Sequence, residues 1–426
     1  MMDKAPSSER VHIGFFGIRN AGKSSVVNAV TEQDLSVVSE TKGTTTDPVQ
    51  KAMEITPIGP VVVIDTPGFD DVGSLGEKRV KKTKEILNRV DIAVLVIDGT
   101  IGLHQEDKEL IEIFREKKLP YVIAKNKSDL IAEHEVIQNP EINGEDKNAY
   151  KIFDYDGNRF GEIEVSAKTG YHIFELRSLI GQLGKATMES KGLLDGIASD
   201  DGQDAFILVI PQDTSAPKGR LILPEQMMIH EILDHHGEAI CCQPEELERT
   251  IDFMQSSNKK LRMVITDSQA FKHVAATVPD EIPLASFSIL MARYKGVLET
   301  AARGVTAVDT IQDGDTILMA EGCTHHRQCD DIGTVKIPNW IREYTGKDIK
   351  IETSSGYGFP EDLTKYHMII HCGACMINER EVRFRMNQAI DQGVPFTNYG
   401  ITISYMNGIL QRNARAIKEL SFLLEK

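Results

Sequence analysis

Residues Gly17 to Ser24 read GIRNAGKS, and this run constrains the chain more than any other feature. It follows the apolar segment VHIGFF and precedes the apolar-periodic SSVVNAV, so the pattern GxxxxGK[ST] stands between a strand and a helix. The glycines let the backbone curl until its N–H groups face phosphate oxygens, and the helix N-terminus adds its dipole. Gly17, Asn20, Gly22, Lys23, Ser24 and Ser25 are the expected contacts to a nucleotide. Lys23 is expected on the β- and γ-phosphates and Ser24 on Mg²⁺.

Three later strand ends complete the set. VVVIDTPG brings Asp65, placed to hold Mg²⁺ through water, and Gly68, whose N–H faces the γ-phosphate. PYVIAKNKSD ends in Asn126, Lys127, Ser128 and Asp129. A carboxylate at Asp129 accepts both N1–H and the 2-amino group of guanine, a donor pair that adenine lacks. Lys127 is expected to lay its stem along the base. EIEVSAKTG brings Ser166, Ala167 and Lys168, whose backbone reaches the guanine O6. Between the first motifs lies TKGTTTDPV, hydroxyl-rich and bracketed by Gly and Pro. Thr45, with Thr44 as the alternative, is expected to add a hydroxyl to Mg²⁺ when GTP is bound, and FDDVGSLGE is the second expected switch. The expected catalytic group is Lys23, Thr45, Asp65 and Gly68, to which the resemblance named below adds Asn20. No glutamine follows Gly68; Phe69 cannot orient a water, so intrinsic GTP hydrolysis is expected to be slow.

NxGKS followed by GTTxD resembles the potassium-activated GTPases of the Era and MnmE style. That resemblance implies that Asn20 helps bind K⁺ beside the phosphates, where the ion supplies the charge of an arginine finger.

The second part of the chain reads differently. After a polar, glycine-rich join near 185–204, AFILVIPQD is a buried strand, ILPEQMMIHEILDHHG a helix, and AICCQPEEL a short strand. Cys241 and Cys242 are adjacent, so they point to opposite faces and are expected as buried free thiols. His230, His235 and His236 are expected in packing or surface roles. From Leu261 the strand–loop–helix pattern restarts, and its apolar strands end in loops rich in Gly, Ser, Cys and His. Ligands sit at such strand ends in open α/β sheets. TILMAEGCTHHRQC carries Cys323, His325, His326 and Cys329, and YHMIIHCGACM carries His371, Cys372 and Cys375. CxxC places two sulfurs to clasp one metal centre. Zinc on Cys323, Cys372, Cys375 and a histidine, or an iron–sulfur cubane on the same thiolates, satisfies this pattern equally.

Composition narrows the function classes. The 426 residues suit two to four domains, and 41% hydrophobic content is enough for packed cores. A formal net charge of -16 argues against a surface that coats a nucleic acid duplex. No apolar run is long enough for a membrane span, and MMDKAPSSER has no signal-type apolar segment. Six cysteines in a chain of this length are not a disulfide scaffold, so a cytoplasmic location with reduced thiols is expected.

A GTPase followed by CxH and HCxxC closely resembles the maturation GTPase of FeFe hydrogenase, the HydF family. The motifs that carry the resemblance are GIRNAGKS, GTTTDPV, DTPG, NKSD, SAK, the Cys-Thr-His at 323–325 and the His-Cys-Gly-Ala-Cys at 371–375. It implies an α/β chain with a P-loop GTPase domain at 1–185, a dimerisation domain at 186–262 and a C-terminal cluster domain at 263–426. It implies a scaffold bearing a 4Fe-4S cluster, with Cys323, Cys372 and Cys375 as ligands and His325 and His371 as less secure ones. It further implies that a diiron subcluster precursor is held there and passed to apo FeFe-hydrogenase, with two radical-SAM maturases as further partners. A homodimer or higher oligomer is expected, with neither nucleic acid nor membrane as partner. The rival readings are an RNA- or ribosome-associated GTPase with a structural zinc, and a GTP-dependent chaperone for a single metal ion.

Overall fold

The computed structural model describes residues 7–32, 49–66, 85–131, 146, 148–185, 192–211, 221–256, 259–322 and 331–424. The chain divides into two compact units, Met1–Glu189 and Ser190–Lys426.

The first unit is built on seven strands: β1 (Val11–Phe16), β2 (Val49–Ile55), β3 (Gly59–Asp65), β4 (Ile92–Asp98), β5 (Tyr121–Asn126), β6 (Tyr150–Tyr155) and β7 (Asn158–Glu164). They pair in the order β2-β3-β1-β4-β5-β7-β6, with only the edge strands β2 and β6 antiparallel to their neighbours. β1 and β4 are buried along their whole length, as central parallel strands covered on both faces must be. Alternation then splits their side chains between two cores. Ile13, Phe15, Val94 and Val96 pack under the helices Lys23–Thr31 and Ile173–Lys185. Phe16, Ala93, Leu95 and Ile97 pack with Leu110 and Phe114 of the helix Gln105–Glu116. Because the central strands run parallel, their carboxyl ends collect on one edge, and every described nucleotide motif follows one of those ends.

The second unit contains two four-stranded parallel sheets. The first has the order β11-β10-β8-β9, from β8 (Asp204–Val209), β9 (Glu238–Cys242), β10 (Lys260–Thr266) and β11 (Leu284–Ser286). The second has the order β13-β12-β14-β15, from β12 (Thr316–Ala320), β13 (Lys350–Ser354), β14 (Met368–His371) and β15 (Phe396–Asn398). One continuous apolar core joins them, with Phe206, Leu208 and Ile265 in the same cluster as Leu318, Met319 and Ile370. The sequence-expected join at 262/263 falls inside β10 and is corrected here. The run LRMVIT does not open a new domain; it adds a strand beside β8, with Val264 opposite Ile207. The change of sheet comes after β11, across the helices Phe287–Tyr294 and Leu298–Gly304. Among the described residues, no helix is long and apolar enough to cross a membrane.

Candidate nucleotide and cysteine sites

In the first unit, the P-loop turns through backbone conformations that side chains resist. Gly22 has φ +86 and immediately precedes the helix Lys23–Thr31. A Cβ there would lie 2.3 Å from the Asn126 Nδ2, so both the dihedral and the space demand glycine. Gly17 is under the same pressure, because its Cβ would meet the Val96 carbonyl oxygen at 2.4 Å. Asn20 also takes a left-handed conformation, at φ 65, which asparagine tolerates better than most residues. Lys23, at the first helical position, forms an ion pair with Asp65 at the end of β3. The expected phosphate cation and the expected magnesium carboxylate therefore converge. Ser24 and Ser25 follow in the exposed first turn of the helix.

Asn126 fastens this loop to the base-reading motifs. Its Nδ2 donates to the Ala21 carbonyl at 3.1 Å, and its Oδ1 accepts from the Ala167 N–H at 3.1 Å. One side chain thus spans three motifs that are far apart in sequence. Asp129 is held from the other side: its Oδ1 accepts from the Ser166 hydroxyl at 2.8 Å, and Lys168 Nζ lies 3.8 Å from Oδ2. Lys127 has φ 67 and turns its ammonium onto Asp98 Oδ2 at 2.7 Å. Asp98 also accepts from the Thr100 N–H and hydroxyl, at 2.9 and 2.6 Å. Burial alone would raise this carboxyl, but the bonds from Lys127 and Thr100 outweigh it and hold the group below its ordinary range. The sequence marks Asp98 only as a strand end; its part in positioning Lys127 carries no spacing signal. Thr44, Thr45, Gly68 and the segment FDDVGSLGE lie outside the described residues.

In the second unit, β12 and β14 are parallel neighbours, with Ala320 opposite His371. The chain leaves both strands at the same edge. The Cys372 N–H continues the ladder to the Ala320 carbonyl at 2.8 Å. Cys372 Sγ accepts from the Gly322 N–H at 3.1 Å and the Ala374 N–H at 3.4 Å. Gly322 is the residue before Cys323; Cys323, His325, His326 and Cys329 lie outside the described residues. Cys372 and Cys375 are both half-buried free thiols. Burial pushes Cys372 up, partly offset by its two N–H donors, and burial with the neighbouring Cys372 pushes Cys375 up to about 11. A hollow at Cys372 is also lined by Met291, Lys295, His371, Ala374, Phe396 and Asn398.

His371, one of the expected ligands, has a partner at each ring nitrogen in this structure. Its Nε2 lies 3.1 Å from Arg385 Nη1, and a guanidinium can only donate, so Nε2 is the acceptor. Nδ1 therefore carries the proton and donates to the Cys372 carbonyl at 2.9 Å. Both nitrogens are committed. Burial and the Arg385 charge push the ring down to about 3, so it stays neutral. His371 thereby braces the backbone of Cys372. Arg385, itself fully buried, also donates to Glu381 at 2.9 Å and to the Gly356 carbonyl at 2.6 Å. Arg385 and Glu381 are supports that motif reading misses; their four-residue spacing on the helix Glu379–Asp391 is the only sequence signal they leave. Of the adjacent pair in β9, Cys241 is exposed and Cys242 half-buried, which corrects the expectation that both are buried. Two-residue periodicity separates them, and β9 is an edge strand.

The family models divide the chain consistently with these sites. A model described as 50S ribosome-binding GTPase matches residues 12–127. One described as the hydrogen maturase F dimerization domain matches residues 193–296, and one described as the hydrogen maturase F tetramerization domain matches residues 299–416. Among curated relatives, the tRNA modification GTPase MnmE of Desulforamulus reducens is 36% identical over 127 residues, covering 29% of this chain and 27% of its own. GTPase Der of Kosmotoga olearia is 34% identical over 140 residues, covering 31% of each chain. A crystal structure of Era from Aquifex aeolicus is 23% identical, covers 40% of this chain and 56% of its own, and has a TM-score of 0.30. The chain spans about a third or less of the length of these two relatives. It carries the dimerization and tetramerization domains of hydrogen maturase F behind an N-terminal P-loop GTPase domain similar to those of MnmE and Der.

Proposed function

We propose that this chain is a GTP-hydrolysing scaffold of the hydrogen maturase F type. In this reading it binds a 4Fe-4S cluster, holds the diiron subcluster precursor as cargo, and passes that cargo to apo FeFe-hydrogenase. The observation that carries the reading is the joining, in one chain, of a guanine-reading P-loop unit to the two maturase domains, with Cys372 and Cys375 at a parallel-sheet edge in the second. GTP with Mg²⁺ binds through Gly17, Gly22, Lys23, Ser24, Ser25, Thr45, Asp65 and Gly68, and Asn126, Lys127, Asp129, Ser166, Ala167 and Lys168 read the base. Asn20 holds K⁺ beside the phosphates, which predicts faster turnover in KCl than in NaCl.

Cys323, Cys372 and Cys375 hold the cluster. The donor set suits it: three thiolates leave one position open for cargo, and the N–H donors on Cys372 Sγ favour the thiolate form that ligation requires. When bound, the cluster supplies an iron with an exchangeable site. His371 and Arg385 fix the Cys372 backbone from behind. The dimerization and tetramerization domains assemble copies of the chain, and two radical-SAM maturases deliver the cargo in the cytoplasm. GTP acts as a switch: the γ-phosphate orders the loops around Thr45 and Gly68, and hydrolysis governs partner docking or release.

The test is EPR on anaerobically purified, dithionite-reduced protein, with iron, sulfide and zinc measured on the same sample. A reduced 4Fe-4S signal that disappears in Cys372→Ser or Cys375→Ser supports the scaffold. Zinc lost in those same variants, with no cluster after reconstitution with iron and sulfide, overturns it in favour of a zinc-bearing GTPase.

A further inference from the structure

The segment that opens the second unit carries side chains that neither site above uses. Glu231 lies in the last turn of the helix Leu223–Asp234, and His235 caps that helix. Four-residue spacing puts them on one face. Asp195 approaches from the turn that precedes β8. The His235 Nδ1 lies 2.6 Å from Asp200 Oδ1, which orients the ring. A carboxylate on Nδ1 is the outer partner that metal-bound histidines ordinarily have. Nε2 then faces away from Asp200, 3.6 Å from Glu231 Oε1 and 3.8 Å from Asp195 Oδ1. These separations are too long for hydrogen bonds. They are close to the spacing of neighbouring ligands around one ion, about 3–3.5 Å for bonds of about 2.0–2.2 Å.

Two independent features point to a cation at this centre. The first is Gly192. A Cβ there would meet Glu231 Oε1 at 2.0 Å and Asp195 Oδ1 at 2.8 Å, so a side chain at 192 would displace the two carboxylates from their present convergence. Its N–H and that of Leu194 hold them in place, at 2.6 and 3.2 Å, and leave lone pairs on both. The second is charge. Among the described residues, no lysine or arginine pairs with Asp195, Asp200 or Glu231. Arg293, the guanidinium at this turn, is spent on the Leu193 and Asp195 carbonyls and on Glu419. Three carboxylates therefore surround one imidazole, and either a proton on His235 or a metal ion must balance them.

We propose that Asp195, Glu231 and His235 form a binding site for a first-row divalent cation. One imidazole and two carboxylates with water completing the shell suit Zn²⁺ best. The ion pins the segment 192–200 onto the helix Leu223–Asp234 and is separate from the cysteine ligands.

The experiment titrates Zn²⁺ into the full-length, nucleotide-free chain, with bound zinc measured after dialysis. It is run once on native protein and once on protein whose thiols are blocked with iodoacetamide. The proposal expects one zinc to survive thiol blocking, and Asp195→Asn or His235→Gln to remove one equivalent from both samples. Asp200→Asn weakens that site by about 10–100-fold, the usual cost of losing an outer partner. Co²⁺ in the blocked protein gives d–d bands without thiolate charge transfer, a readout independent of how any variant folds. If the blocked wild-type chain retains no zinc, or the variants retain as much as wild type, the group is an ion-pair network around a protonated His235 and the proposal fails.

Discussion

The nucleotide unit and the cysteine unit both place their candidate ligand residues at the carboxyl ends of parallel strands, but they hold them differently. In the first, the readers support one another: Asn126 links the P-loop to Ala167, and Ser166 holds Asp129. Almost every support is itself a motif residue. In the second, the thiols are held from outside the motif. Arg385, Glu381 and the Gly356 carbonyl brace His371, which braces Cys372. Phosphate and base are recognised by backbone and short side chains in contiguous loops, so recognition and support share the same residues. A cluster needs a few thiolates fixed in a shielded cavity, and the fixing falls to whatever packs behind the strand.

The largest effect tests whether the two units work independently. Cys372→Ser and Cys375→Ser are each expected to abolish iron binding and leave GTP turnover within twofold of wild type, roughly the size of a surface perturbation. Lys23→Ala is expected to do the reverse, ending turnover with cluster content intact. Iron analysis and phosphate release on the same preparations decide it. A Lys23→Ala protein that also lost its cluster would show that the units share more than a chain. If that protein releases its partners as wild type does, hydrolysis does not govern docking.

Asp129→Asn probes the self-supporting site. It removes the acceptor of two charge-assisted hydrogen bonds to guanine, each about 1.5–3 kcal/mol. GTP affinity should fall by about 10²–10⁴-fold. Xanthosine triphosphate, with an oxygen where guanine has its amino group, should regain most of that loss. Calorimetry with the two nucleotides checks it, and equal weakening of both would mean that Asp129 shapes the pocket without reading the base.

The contrast also explains what was legible in the sequence. GIRNAGKS, NKSD and SAK announce their residues because each motif is continuous, and several of their residues touch another motif. CxxC announces the thiols because it too is continuous. Arg385 was not legible: it stands fourteen residues after His371, on a helix whose pattern reads only as amphipathic. The contact of His371 with Arg385 was equally illegible, because the two are distant in sequence. The boundary at 262/263 was misread because LRMVIT looks the same whether a strand opens a sheet or joins one. Strand pairing is a long-range property, and one sequence carries no direct record of it. Thr45, Gly68 and Cys323 lie outside the described residues, so their expected roles rest on sequence alone.

Arg385→Met tests the externally braced site. It leaves Glu381 as a buried charge and strips the donor from both His371 Nε2 and the Gly356 carbonyl. Removing one partner of a buried pair costs about 3–5 kcal/mol. Denaturant unfolding should place that loss in the transition of the second unit and leave the first unchanged. The double variant Arg385→Met with Glu381→Met should recover part of it, since the stranded charge is then gone. No recovery would mean that the His371 and Gly356 contacts, and not the ion pair, carry the stability.

The smallest effect separates support from reading inside the nucleotide site. Ser166→Ala deletes the hydroxyl that donates to Asp129 and accepts from the Thr169 N–H, at 2.8 and 3.2 Å, while Lys168 stays near the carboxylate. One hydrogen bond to a charged group is worth about 1.5–3 kcal/mol, and retained neighbours bring the expected cost toward the lower end, roughly tenfold in GTP affinity. Xanthosine triphosphate should gain nothing, because the carboxylate remains. The two variants therefore differ in kind as well as size: Asp129→Asn changes which base is bound, whereas Ser166→Ala changes only how tightly. A Ser166→Ala protein as weak as Asp129→Asn would mean that Asp129 cannot hold its place alone, and the first site would then depend on its supports as heavily as Cys372 depends on His371 and Arg385.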